Sequence, residues 1–184
     1  MKTIIFTFLI SIFFFQPKAQ ESNMIVTDFT ESKKLDWFVI NDGVMGGLSE
    51  SSMILTNDGN GKFSGSVSLE NNGGFASVRA EVPEADYSDF KAISIKVKGD
   101  GKKYKFRIRT DRNFDGVSYQ ASFTSGNSWQ EFTFTPGDFT PVFRGRVVRD
   151  YPALDFGRMQ QIGFLISDKQ KGKFELLIDS VWME

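Results

Sequence analysis

Ile93–Arg109, ISIKVKGDGKKYKFRIR, carries the pattern that decides the fold. Ile93, Ile95 and Val97 alternate with Ser94, Lys96 and Lys98; beyond Gly99-Asp100-Gly101, Tyr104, Phe106 and Ile108 alternate with Lys103, Lys105, Arg107 and Arg109. Successive side chains of a strand point to opposite faces, so each run has one dry face and one wet face. The glycine-framed turn between the runs predicts a β-hairpin. On that reading the lysines and arginines share the hairpin's outward face as a local basic patch. Its two readings are solvated charge that protects a sheet, or a surface for an acidic glycan or an acidic protein.

The same period extends in both directions. Phe63, Gly65, Val67 and Leu69 alternate with Lys62, Ser64, Ser66 and Ser68, and Val117, Tyr119, Ala121 and Phe123 alternate with Ser118, Gln120 and Ser122. It returns in Phe132 and Phe134, and again in Phe174, Leu176 and Ile178. Further strands are predicted at Met24–Phe29, Trp37–Ile40, Met53–Thr56, Gly74–Val82 and Ile162–Ile166, with helix limited to turns near Tyr87 and Phe156–Gln161. Short strands joined by glycine and asparagine turns, with no sustained helical period, predict an all-β antiparallel sandwich of jelly-roll form. No repeat or linker divides the pattern, so residues 21–184 are expected to form one domain.

Between the early strands lies Trp37–Ser51, WFVINDGVMGGLSES, which is too apolar for a passive loop. Asn41, Asp42 and Gly43 take left-handed backbone at low cost, and Gly46 and Gly47 leave no side chain between this backbone and its neighbours. The stretch reads either as a buried crossing that needs close packing or as a binding surface that holds Met45 outward. W-x-x-x-N-D-G-V-M-G-G-x-S, followed by the N-G-G-F-A-S-V-R of Asn72–Arg79, resembles the signature of the complex I intermediate-associated protein family. Phe139–Arg146, FTPVFRGR, and Ile162–Ile178, IGFLISDKQKGKFELLI, are similar to that family's later motifs, so the resemblance runs from about Phe29 to about Trp182. It implies a galactose-binding-like jelly roll and, for mitochondrial members, a non-catalytic role in assembling respiratory complex I.

Composition narrows the chemistry. The chain has no cysteine and no histidine, which excludes thiol nucleophiles, disulfides, Ser-His-Asp triads and the usual zinc or iron sites. Lys and Arg number 22 against 23 Asp and Glu, a balance that argues against nucleic acid as the partner. No cofactor is expected, since Gly43–Gly47 lacks the dinucleotide spacing. At the N-terminus, Lys2, the apolar run Ile4–Phe15 and Ala19 near the expected cut read as a secretory signal over residues 1–20. That run is too short to span a bilayer, which takes about 20 helical residues. The expectation is an exported protein, periplasmic or extracellular after cleavage, with no stable membrane insertion.

Three motifs remain. Asp111-Arg112-Asn113-Phe114-Asp115-Gly116 matches the first half of a calcium loop, D-x-N-x-D-G, although its twelfth position is Ser122 and its flanks are strands, so a polar hairpin tip is the other reading. Arg144-Gly145-Arg146 suits recognition of carboxylates, or a clamp onto Asp150 or Asp155. Asp42, Glu50, Asp111, Asp115 and Asp155 are the acids a glycosidase would draw on, but no spacing selects a pair. The expected protein is therefore a non-catalytic binding module, for a protein partner or assembly intermediate as the resemblance implies, or else for a glycan. Its expected binding residues are Trp37, Asn41, Asp42, Met45, Arg79, Tyr119, Arg144 and Arg146, with Trp37 and Tyr119 supplying apolar contact and the arginines and Asp42 polar contact.

Overall fold

A computed structural model describes residues 23–184, so the leader expected at residues 1–20 lies outside the described residues. The strands are β1 (Met24–Thr27), β2 (Trp37–Val39), β3 (Glu50–Leu55), β4 (Gly61–Val67), β5 (Ala76–Glu81), β6 (Ile93–Gly99), β7 (Lys103–Arg109), β8 (Ser118–Thr124), β9 (Gln130–Phe134), β10 (Thr140–Phe143), β11 (Arg146–Val147), β12 (Gln161–Ile166) and β13 (Gly172–Met183). They form two antiparallel sheets. One runs β3-β4-β13-β6-β9 with β1 also on β13, and the other runs β11-β10-β8-β7-β12-β5-β2. Only short 3-10 turns interrupt them, at Asp42–Met45, Glu70–Asn72, Pro136–Asp138 and Phe156–Arg158. The segment around Tyr87, expected to be helical, is an ordinary turn, and β3 begins at Glu50, ahead of the expected Met53.

The alternation fixes which residues meet between the sheets. Val78, Phe164, Phe106 and Ala121 lie opposite one another across β5, β12, β7 and β8, and all are buried. They face Ile95, Val97, Phe134, Phe174 and Ile178 of the other sheet within one continuous core. Aromatic rings bridge the layers: Phe106 lies 6.1 Å from Phe134, and Tyr104 lies 6.4 Å from Phe174, centroid to centroid. Phenylalanine is not confined to the core, however. Phe38, Phe114 and Phe143 are exposed.

Ile93–Arg109 behaves differently from its hairpin reading. β6 pairs with β13 and β9, whereas β7 pairs with β12 and β8, so Gly99–Gly101 turns the chain from one sheet into the other. Alternation reports the face of each strand but carries no information about its hydrogen-bonding partner. The expected basic patch is therefore divided. Lys96 and Lys98 lie on the outer face of the six-stranded sheet, while Lys103, Lys105, Arg107 and Arg109 lie on the outer face of the seven-stranded one.

Candidate functional site

The Asn41–Gly47 loop is built around a buried carboxylate. Asp42 is 0% exposed and accepts hydrogen bonds from the Ser49 amide at 2.9 Å, the Gly74 amide at 2.7 Å, the Phe75 amide at 3.2 Å and the Ser49 hydroxyl. Burial opposes its ionisation, but the bonds from Ser49, Gly74 and Phe75 outweigh that and hold the carboxyl below the ordinary carboxylate range. Asp42 thus ties the N-D-G-V-M-G-G stretch to the N-G-G-F-A-S stretch. Asn41 adds to the seam, its Oδ1 accepting from Ser51 Oγ at 2.8 Å and the Ser77 amide at 3.3 Å. Asn41 itself is extended, and Gly46 takes the left-handed conformation, φ +87°. Asp42 is spent inside the protein, which corrects the expectation that it contacts a ligand, while Asn41 is half-buried with its Oδ1 engaged in the seam.

What the seam presents outward is apolar. Met45 is 63% exposed, Leu48 54% and Leu69 38%. Leu48 and Leu69 flank Ser49 and Ser68, which are joined by a 3.0 Å bond from the Ser68 amide to Ser49 Oγ, so the corner sits on a fixed frame. Trp37 and Tyr119, expected as ligand platforms, turn inward instead. Trp37 packs between Phe29 and Phe164 at 6.1 and 6.0 Å, and the buried Tyr119 donates its hydroxyl to the Pro152 carbonyl at 3.0 Å. Both fall on the core side of their strands, as β-periodicity requires once the neighbouring residues face out.

Arg79 lies on the opposite side of its strand from the core. The strand register places Phe38, Arg79, Gly163, Arg107, Gln120 and Thr140 in one row across the seven-stranded sheet. Gly163 cannot carry a side chain, because a Cβ there would come within 2.5 Å of the Val78 carbonyl oxygen, and so a cleft opens between the two arginines. Ser77, Arg109, Ser118 and Gln161 complete its walls. Arg79 donates to Gln161 Oε1 at 3.3 Å and to the Phe114 carbonyl at 3.2 Å, and Arg107 donates to Gln120 Oε1 at 3.0 Å. Among the described residues neither has a carboxylate within 4.0 Å. Burial, aggravated by Arg109, lowers Arg79 to about 10; burial, aggravated by Arg79 and Arg109, lowers Arg107 to about 10. Both remain charged at neutral pH.

The Asp111–Gly116 loop closes one end of this cleft, held by arginines where a calcium loop would present free acids. Asp111 Oδ1 accepts from Arg109 at 3.0 Å, and Asp115 Oδ2 accepts from Arg144 Nη2 at 2.6 Å. The hydrogen bond from Arg144 is the main reason Asp115 sits below the usual carboxylate range. Among the described residues no three acidic, histidine or cysteine groups gather as a metal site. Arg144 accordingly clamps Asp115, a correction to its expected partners Asp150 and Asp155. Arg146, on β11, is exposed and stands apart from the cleft. Sequence offers Arg107 only as one member of the basic patch and does not single out Gln120, Gln161 or Gly163, because only strand pairing brings the four beside Arg79. A broad depression of about 810 Å³ on the six-stranded sheet, lined by Glu50, Ser52, Ser64, Lys173 and Glu175, gathers none of the expected binding residues, holds one of the acids considered for hydrolysis, Glu50, and mixes charges.

Comparison with known proteins places these features in context. A sequence model described as complex I intermediate-associated protein 30 matches residues 27–178. The mitochondrial protein of that name from Mus musculus is 28% identical over 90% of this chain and 57% of its own length. The Drosophila melanogaster counterpart is 27% identical over 87% and 62%. The chain therefore spans about three-fifths of these relatives. Among solved structures, the family 11 carbohydrate-binding module from Clostridium thermocellum in complex with a β-1,3-1,4-mixed-linked tetrasaccharide aligns with TM-score 0.67 and 18% identity over 88% of this chain and 94% of that one. A family 29 carbohydrate-binding module gives 0.53 and 7% over 88% and 87%. Identities this low speak for the shared galactose-binding-like sandwich alone. The relatives' mitochondrial names overturn the expectation of an exported protein. That expectation rested on a lysine and an apolar run free of acid, and hydropathy of this kind does not set a compartment by itself.

Proposed function

The chain belongs to the complex I intermediate-associated protein 30 family, and from that premise we propose that it is a non-catalytic module that binds a protein partner during assembly of respiratory complex I. The observation that carries the reading is the exposed apolar corner of Met45, Leu48 and Leu69, fixed in place by the buried Asp42 seam. Apolar side chains on a rigid frame suit a protein surface, since burying them releases water without first ordering a loop. Trp37 and Tyr119, the rings expected to supply apolar contact to either kind of partner, pack against the core instead, so Met45, Leu48 and Leu69 are left to supply it. Of the exposed rings, Phe38 and Phe143 already lie under Arg79 and Arg144 at 5.9 and 5.3 Å. Of the five acids considered for glycoside hydrolysis, four are engaged: Asp42 by backbone amides, Asp111 and Asp115 by arginines, and Asp155 by the Gly157 amide, which leaves Glu50 alone and no carboxyl pair.

Crosslinking in the native cells, followed by identification of the captured proteins, tests the proposal. Recovery of complex I subunits with the wild-type chain, and their loss with Met45→Asp combined with Leu48→Ser, is the expected result. Binding of neutral glycans by the purified chain, with no complex I subunit captured, would replace the proposal with a carbohydrate-binding role.

A further inference from the structure

We propose that the free edge of β3 takes up an extended, basic-ended segment of the protein partner as an added strand; this rests on the protein-binding reading and names how the partner is held. β3 ends the six-stranded sheet, and at six residues it is the longest of the strands that end a sheet, since β9 has five, β2 three and β11 two. Short edges resist pairing with other chains, as do prolines, lysines and bulges, and β3 has none of these defences. Which of its backbone groups are free follows from one bond. The Thr56 amide donates to the Asn60 carbonyl at 2.8 Å in the β3–β4 register, and antiparallel partners exchange bonds at every second residue, so Ile54, Ser52 and Glu50 spend their backbone groups on β4. Ser49 has the opposite phase, its amide turning away from β4 to Asp42. The N–H and C=O groups of Ser51, Met53 and Leu55 therefore point out of the sheet, and among the described residues they have no hydrogen-bond partner.

The side chains along the edge state the chemistry of the segment. Ile54 and Leu55, on opposite faces of the strand, are 49% and 53% exposed, and Met53 packs on the core from the same face as Leu55. An added strand covers both faces at once, so apolar side chains suit it beside Ile54 on one face and beside Met53 and Leu55 on the other. Glu50, at the start of β3, is exposed and has no lysine or arginine within 4.0 Å among the described residues. A basic side chain opposite it completes a cross-strand pair of opposite charge. β3 itself carries no lysine or arginine, so a second copy paired edge to edge brings Glu50 no cation. Leu48 of the apolar corner lies just ahead of β3, which makes corner and edge one continuous surface. The corner contributes apolar area, and the edge contributes a ladder of directional bonds to the backbone of the segment.

The test titrates into the purified chain a fluorescent peptide of alternating valine and threonine that ends in lysine. Its companions are the same peptide ending in glutamate, and two versions in which one or the other set of alternate amides is N-methylated. Amide hydrogen exchange is followed by NMR. The expected result is binding that slows exchange at Ser51, Met53 and Leu55 by about tenfold or more. It should weaken by about tenfold or more when one set of amides is methylated and not when the other is, and Glu50→Lys should shift the preference by about fivefold from the lysine-ended to the glutamate-ended peptide. Absence of binding overturns the proposal, as does binding that leaves the three amides unprotected, that both methylated peptides retain, or that Glu50→Lys leaves unchanged. Protection of the same amides without peptide, rising with protein concentration, also overturns it and gives the edge to a second copy. Because the methylated peptides are tested on the wild-type chain, no variant has to fold for the edge to be judged. The titration involves no complex I subunit, so its failure removes the added strand and leaves the crosslinking result standing, whereas a failed crosslink beside a successful titration removes the assembly reading alone.

Discussion

Asp42 shows how a single side chain can join two distant stretches of sequence. Its carboxylate collects three backbone amides and a hydroxyl, and neighbouring glycines make room for it, since a Cβ at Gly47 would overlap the Asp42 carboxyl group. Asp42→Asn replaces one acceptor oxygen with an amide that points its own hydrogens at those donors. The expected cost at neutral pH is on the order of 3 kcal/mol. The sign of its pH dependence follows from the direction of the shift. A carboxyl held below its unfolded value adds stability above about pH 4 and loses it as the pH falls through the folded value. Urea unfolding should therefore separate wild type from Asp42→Asn at pH 7 and bring the two together in acid; an equal gap at both pH values would dismiss the charge as the cause. From sequence, an acid that satisfies amides within the chain looks the same as one waiting for a ligand. That is why sequence places Asn41 and Asp42 among the binding residues, whereas Met45, which they hold in position, is the one the surface presents.

The decisive element is the corner between β6 and β7. The inward and outward faces of both strands were legible from their alternation, and so was the turn at Gly99–Gly101. The sheet each strand joins was not, because that choice depends on β13 and β12, more than fifty residues further on. Ser94 marks the limit of the pattern from the other side. Expected to face water, it is fully buried, satisfied by Thr133 Oγ1 and by Glu184 Oε1, each at 2.6 Å. The corner also depends on close contact with the turn after β8. Gly99 donates to the Gly126 carbonyl at 2.7 Å, and a Cβ on Gly99 would overlap the Ser125 side chain. Gly99→Ala should cost about 1–3 kcal/mol, and a companion Ser125→Gly should recover part of that loss. A double-mutant cycle reads the coupling directly. Purely additive losses would mean that the two turns do not press on each other.

At the scale of the whole molecule, β13 organises both ends of the described chain. One of its edges is covered by β6, while the other is shared by β4 and then by β1, with Met24 opposite Met183 and Ile25 opposite Trp182. Val26 and Thr27 are fully buried, as is Met183, and Glu184 exchanges backbone hydrogen bonds with Ala92 at 2.9 and 3.0 Å. Residues 23–184 are accordingly proposed to fold as one cooperative unit, with β1 as part of its core. A chain beginning at Asn23 should melt in a single transition. A chain beginning at Asp28 removes Val26 from the core and uncovers the β13 edge beside Val181. Burying a valine side chain contributes about 1.5–3 kcal/mol, and for a protein of this size each kcal/mol moves Tm by roughly 2–4 °C. With the lost strand pairing added, the Asp28 chain should melt about 5–10 °C lower. Calorimetry on the two chains decides the point: equal melting temperatures would make β1 an ornament of the sandwich, and two resolved transitions would divide the unit. The same comparison bears on the binding corner, because β1, paired with β13, and the Asp42 seam, which joins the segments leading into β3 and β5, border one continuous core. If that core acts as a single body, the Asp28 chain should also lose the partner contacts made by Met45 and Leu48 as it approaches its lowered melting temperature, and should keep them well below it.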